Sequence, residues 1–134
     1  MRKAPPPSFK ALGQSGVVQP TRLLERFSRP LNIFKVVMVS DEVTALCPVT
    51  GQPDQYTVTI TYYPRRWCIE SKSLKLKLQS YRMRGLFCEA FAHELADHVQ
   101  ASVAAKQVTV SIVQKPRGGV SIVASAVRGS VTCV

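Results

Sequence analysis

Acidic residues are scarce in this chain, histidines scarcer, and paired cysteines absent. Eight Asp and Glu stand against eighteen Lys and Arg, for a formal charge of +10 over 134 residues. That balance favours anionic partners such as nucleotides, phosphates or nucleic acid, without choosing among them. The four cysteines, Cys47, Cys68, Cys88 and Cys133, form no Cys-x-x-Cys pair, which argues against a zinc knuckle. The two histidines, His93 and His98, are five residues apart. On a helix they point about 140° from one another, so they do not make the one-faced pair of a zincin, and no metal site is expected. No apolar run approaches the ~18 residues of a membrane span. The opening Met1-Arg2-Lys3-Ala4-Pro5-Pro6-Pro7 carries charge but no apolar h-region, so no secretory signal is expected. A cytoplasmic protein with reduced thiols and no membrane partner follows as the expectation.

What is present suffices for one domain with a modest core. Residues 1–30 hold five of the nine prolines (Pro5, Pro6, Pro7, Pro20, Pro30) and little apolar periodicity. They read as a basic, partly disordered arm with a short helical turn at Arg22 to Phe27. The folded domain is assigned to 31–134. Ile33 to Val39 reads as a strand, and Thr50-Gly51-Gln52-Pro53-Asp54 is turn chemistry. Tyr56 to Tyr62 alternates, with Val58, Ile60 and Tyr62 on one face and threonines on the other. In Ser71 to Arg84, Leu74, Leu76 and Leu78 alternate like a strand. Leu74, Leu78 and Tyr81 fit helical spacing instead, and the residues are helix formers, so a helix is predicted. Phe87, Phe91, Leu95, Val99 and Val103 recur every four residues as a second helical stripe. Gln107–Val113 and Val120–Val127 read as strands around a Pro116-Arg117-Gly118-Gly119 turn. The order β-β-α-α-β-β gives an α+β fold: an antiparallel sheet with two helices on one face. Its free edges should pair with further copies of the chain.

Chemistry concentrates in a few segments. Cys47 lies in a turn with Asp54 seven positions on, and Pro48 and Pro53 stiffen the loop between them. A thiolate is a strong nucleophile, and the carboxylate is placed to take the thiol proton and pass it on. A carboxylate alone would raise the thiol pKa, so nearby lysines must offset it. The bland reading is that Asp54 caps the turn and Cys47 packs inside, as Cys68 and Cys133 are expected to do. In Glu70-Ser71-Lys72-Ser73-Leu74-Lys75-Leu76, an N-cap at Ser71 would turn helix amides outward. With Lys72 and Lys75 on one face, the segment could cradle phosphate. A solvated lysine face is the plainer alternative. Arg117 and Gly118 could grip phosphate from the last hairpin, or simply make a tight turn. Glu89 could accept two hydrogen bonds from a guanine-like edge with Phe87 stacking on the base, or could merely suit a helix N-terminus.

Glu42 to Pro48, Thr50 to Asp54, Glu70 to Leu76, Ser80-Tyr81-Arg82, Phe87-Cys88-Glu89 and Pro116 to Gly119 together resemble the 7-cyano-7-deazaguanine reductase family, the QueF-type nitrile oxidoreductases. The resemblance implies a tunnelling fold (T-fold) of such units joined into rings, commonly stacked pentamers forming a decamer. It implies NADPH-dependent reduction of the nitrile of 7-cyano-7-deazaguanine to an amine, in queuosine tRNA modification. Cys47 and Asp54 would be catalytic, the sulfur attacking the nitrile carbon to form a thioimide. Two hydrides would then pass it through a thiohemiaminal and an imine. Glu89, Glu70, Phe87 and the Cys88 position would bind substrate. Ser71, Lys72, Ser73, Lys75, Arg117 and Gly118 would hold NADPH. The chain departs from the family pattern at Cys88, where a histidine tied to proton handling is usual, so the second reduction is expected to be slower or to use water. It departs also at Lys77, usually aromatic, and at Gln55, usually Phe. Two other readings remain open. One is the related amidinotransferase, which acts on a nitrile already built into tRNA. The other is a ring scaffold that binds a purine without turnover.

Overall fold

The computed structural model describes residues 23–130. Its elements run β1 (Arg26–Ser28), β2 (Val36–Leu46), β3 (Pro53–Tyr63), β4 (Trp67–Ile69), α1 (Ser71–Gln79), α2 (Cys88–Val103), β5 (Gln107–Arg117) and β6 (Val120–Gly129). Four long strands form one antiparallel sheet in the order β2-β3-β5-β6, so β2 and β6 are the edges. Both helices lie on one face, α1 against β2 and α2 against β5 and β6.

Alternation decides which face is buried. Val58, Ile60 and Tyr62 on β3 and Val108, Val110 and Ile112 on β5 turn inward. From α2, Phe91, Leu95, Val99 and Val103 meet them with no exposed surface. Phe87, the first residue of the sequence stripe, falls outside the helix as its N-cap position and is exposed. In α1 the inward residues include Leu74 and Leu78, the helical spacing rather than the strand-like alternation. Three long side chains at alternate positions satisfy a helix equally well when intrinsic propensity favours it.

The start of the folded unit corrects the sequence reading. No helical turn forms at the end of the proposed arm; Arg26–Ser28 is a strand paired antiparallel with Trp67–Ile69. Leu24 is buried, its amide donating to Ser102 Oγ at 2.9 Å. The Glu70 amide donates to the Glu25 carbonyl at 2.8 Å. A six-residue helix would be too short to offset its own nucleation cost, whereas these long-range bonds form on a surface already built. The folded unit therefore includes residues that composition assigned to the arm. The rest of that arm, residues 1–22, and Cys133 lie outside the described residues. No described helix is long and apolar enough to cross a membrane.

Candidate active site

Two β-bulges create the site. On β2 the register with β3 slips by one residue between Ser40 and Val43. Before the slip, Val36, Met38 and Ser40 lean inward; after it, Val43 and Ala45 do. The next inward position is Cys47. An unbulged strand would have sent that side chain to the opposite face. On β5 the register with β6 slips between Gln114 and Arg117, around Pro116. The extra residue moves Arg117 onto the inward parity, opposite Asp54. Gly118 and Gly119, with φ of 67° and 84°, then close the hairpin as only glycines do readily.

Asp54 is buried, and Arg117 Nη1 pairs with its Oδ1 at 3.3 Å. The same guanidinium nitrogen donates to Gln52 Oε1 at 3.2 Å. Cys47 is nine-tenths covered by its own turn, yet lies at the rim of the fold with little protein behind it. The Gly51 amide donates to the Cys47 carbonyl at 2.9 Å, and the Thr50 amide approaches Sγ at 3.5 Å. The turn's base is pinned to the loop after α1: Leu46 N donates to Arg84 O at 2.9 Å, and Leu86 N to Leu46 O at 3.2 Å. Gly85 permits this approach, since a Cβ there would stand 3.3 Å from Pro48 Cα.

The turn makes the sulfur acidic. Its pKa falls from 9.0 to about 6, chiefly through the Thr50 hydroxyl, then the Thr50 amide, Arg117 and the Val49 amide. Sequence reasoning assigned this offset to lysines; the structure assigns it to a threonine and an arginine. Because the shift lowers an acid's pKa, the thiolate dominates above about pH 6 and is lost below it. Alkylation of Cys47 by iodoacetamide, followed on the peptide by mass spectrometry, should rise with a midpoint near pH 6. Thr50→Val should move that midpoint upward toward 9.0, the ordinary thiol value.

The same loop leads into α2. Phe87 and Glu89 are exposed, Phe87 at 58%. Cys88 points the other way. Its thiol is buried and meets Ile112 O at 3.6 Å, and burial together with the Glu89 charge pushes its pKa up. Cys88 is thus a neutral thiol packed on the sheet rather than a group displayed beside Glu89.

At α1 the N-cap is Glu70, not Ser71. Its Oε1 accepts from Lys72 N and its Oε2 from Ser73 N, each at 2.8 Å. Two of the amides expected to face a phosphate are therefore taken by the chain's own carboxylate. Ser73 is buried too, its hydroxyl donating to Glu70 O at 2.7 Å and accepting from Glu25 N at 3.1 Å. What remains available is cationic side chain. A cleft of about 470 Å³ between β2 and α1 is lined by Ser40, Glu42, Thr44, Ser71, Lys75 and Arg82, among others. Lys72 is half-buried on the same helix. Arg117 and Gly118 are not part of this cleft; within one protomer, Arg117 belongs to the sulfur.

The pattern defining the family described as QueF-like protein matches residues 53–131. The NADPH-dependent 7-cyano-7-deazaguanine reductase of Anaeromyxobacter sp. (strain K) is 39% identical over 83% of this chain and 93% of that protein. The chain belongs to the QueF-like family. The reductase of the same name from Rhodopirellula baltica is 41% identical over 69% of this chain and 76% of its own length. Among solved structures, the apo form of the archaeosine synthase QueF-Like superposes with a TM-score of 0.68 at 26% identity, covering 73% of this chain and 96% of that one.

For a QueF-like chain, the cysteine, the aspartate and their spacing were legible in sequence. Thr50 and Gln52 were missed as site residues. A hydroxyl three residues beyond a turn cysteine was the available signal for Thr50, since a tight turn folds that side chain back onto the sulfur.

Proposed function

We propose that this chain reduces the nitrile of 7-cyano-7-deazaguanine to the primary amine with NADPH, through a covalent adduct on Cys47. The observation that carries the reading is Cys47 on the same inward face as the buried Asp54, whose carboxylate Arg117 pairs. At neutral pH the sulfur is already thiolate and attacks the nitrile carbon. A proton from solvent reaches the nitrogen through Asp54, so the thioimide forms without a free anion on nitrogen. Arg117 holds the sulfur and the carboxylate in register, so nucleophile and acid approach the nitrile from one side. Overall, one nitrile, two NADPH and two protons give one amine and two NADP⁺. NADPH supplies the two hydrides when bound. Lys75, Ser71 and Arg82, which line the open cleft, and Lys72 on the same helix would take its phosphates. Glu89 and Phe87, exposed next to the loop that pins the Cys47 turn, would take the guanine-like edge and face. The cytoplasm, where thiols stay reduced, suits the chemistry.

A ring of copies is part of this reading. The edges of β2 and β6 expose Val37, Val39, Val123 and Val127. Pairing those edges would bring a second chain over the cleft that β2 lines.

The test is NADPH oxidation with the free nitrile base. In that assay Lys75→Ala should raise KM for NADPH about ten-fold or more, the worth of one charge-assisted contact to phosphate, and leave KM for the nitrile nearly unchanged. Equal effects on both would contradict the phosphate role. A second reading has its own support in the likeness to an archaeosine synthase and in the +10 charge. There the chain would form the same adduct with nitrile-bearing tRNA, and ammonia would replace hydride. Adduct formation without NADPH oxidation, together with tight tRNA binding, would select it.

A further inference from the structure

One buried polar group at the site has no task in the mechanism above. Tyr56 is wholly buried, and its hydroxyl finds no hydrogen-bond partner among the described residues. A buried hydroxyl without a partner costs stability, and a phenylalanine would avoid that cost. The ring itself is well held, edge-on to Phe91 with centroids 5.3 Å apart. The orphan is therefore the oxygen alone.

Its place is informative. Asp54 and Tyr56 are successive inward positions on β3, so their side chains stand side by side on one face. Across the sheet Tyr56 pairs with Val43, the first paired residue after the β2 slip, and with Gln114, where the β5 bulge begins. The hydroxyl senses the charges of Asp54, Cys88, Cys47 and Arg117 together. Burial above all, then Asp54, pushes its pKa to about 12. It therefore stays protonated at working pH and acts as a donor rather than a base. Cys88, where the family resemblance leads one to expect an imidazole, instead gives its thiol to Ile112 O. In the resting protein Arg117 meets Asp54 at Oδ1 only.

We propose that Tyr56 is a positioning residue for Asp54, its hydroxyl donating to the carboxylate from the buried side as Asp54 gives up its proton. The inference rests on the nitrile-reducing reading. When the sulfur bonds to carbon, its charge is discharged and a proton relayed by Asp54 moves to nitrogen. The carboxylate left behind needs a donor, and Tyr56 supplies one without losing its own proton. The chain thereby carries at position 56 a donor for the proton-delivering group that it lacks at position 88.

The test is Tyr56→Phe in the full chain, with thermal melting, adduct formation and NADPH oxidation. The melting temperature should stay level or rise, because a costly orphan has been removed. The kcat should fall about ten- to a hundred-fold while KM for the nitrile holds. A variant with wild-type kcat overturns the inference, as does a loss falling wholly on KM. A melting temperature lower by several degrees would mean the hydroxyl was already satisfied, and overturns it too. A wild-type chain that neither forms the adduct nor oxidises NADPH overturns the functional reading and this inference with it. Wild-type turnover matched by the variant overturns the inference alone.

Discussion

Cys47→Ala is expected to abolish nitrile reduction, a loss on the order of a million-fold in kcat, as removal of a covalent nucleophile causes elsewhere. The size follows from what the sulfur does. Hydride addition to a free nitrile leaves charge on nitrogen with no low-energy route, whereas a thioimide is an activated carbon–nitrogen double bond. Neither of the other two thiols among the described residues can substitute. Cys68 and Cys88 are buried, and Cys88 is held on the sheet by Ile112 O with its pKa raised. Folding should survive, because the turn is closed by backbone bonds from Gly51 to Cys47 and from Cys47 to Gln52. NADPH oxidation and a melting curve on the same preparation check both halves of the expectation.

Asp54→Asn should cost about 10²–10⁴ in kcat, the usual worth of a positioned acid or base. The amide keeps the shape and can still meet Arg117 through its oxygen, but it cannot deliver a proton to the nitrile nitrogen. The sulfur should remain reactive. Thr50, the first cause of its acidity, is untouched, and the guanidinium no longer shares a carboxylate. Alkylation of Cys47 should therefore persist at neutral pH while reduction collapses. Loss of both together would mean that Asp54 holds the turn rather than the proton.

Much of this architecture could be read in advance because burial is periodic. The alternation of Val58, Ile60 and Tyr62 and the four-residue stripe through Phe91, Leu95, Val99 and Val103 each specify one face. Cys47 and Asp54 stood out because turn residues bracket them. The arrangement of the site was not legible, and the bulges are the reason. Counting by twos along β2 through Asp41 and Glu42 puts Cys47 on the wrong face. Counting along β5 through Lys115 and Pro116 leaves Arg117 out of line with Asp54. A single inserted residue leaves no mark in composition, yet it reverses every side chain beyond it. Arg117, read in the sequence as a phosphate ligand, pairs with Asp54 and Gln52 in the folded chain. The N-cap read at Ser71 was misplaced for a different reason. A glutamate one position before a serine-lysine run can reach back over the first turn and cap it, a role usually sought in the shorter side chains. Strand β1 is only three residues long and exists through pairing with β4, a contact that no local pattern announces.

The most direct measurement is the intact mass of the protein after exposure to 7-cyano-7-deazaguanine without NADPH. The account predicts a gain equal to the whole nitrile, since addition expels nothing, together with its absence in Cys47→Ala and its disappearance when NADPH is supplied. An unchanged mass in the wild type, or the same gain in Cys47→Ala, would contradict it.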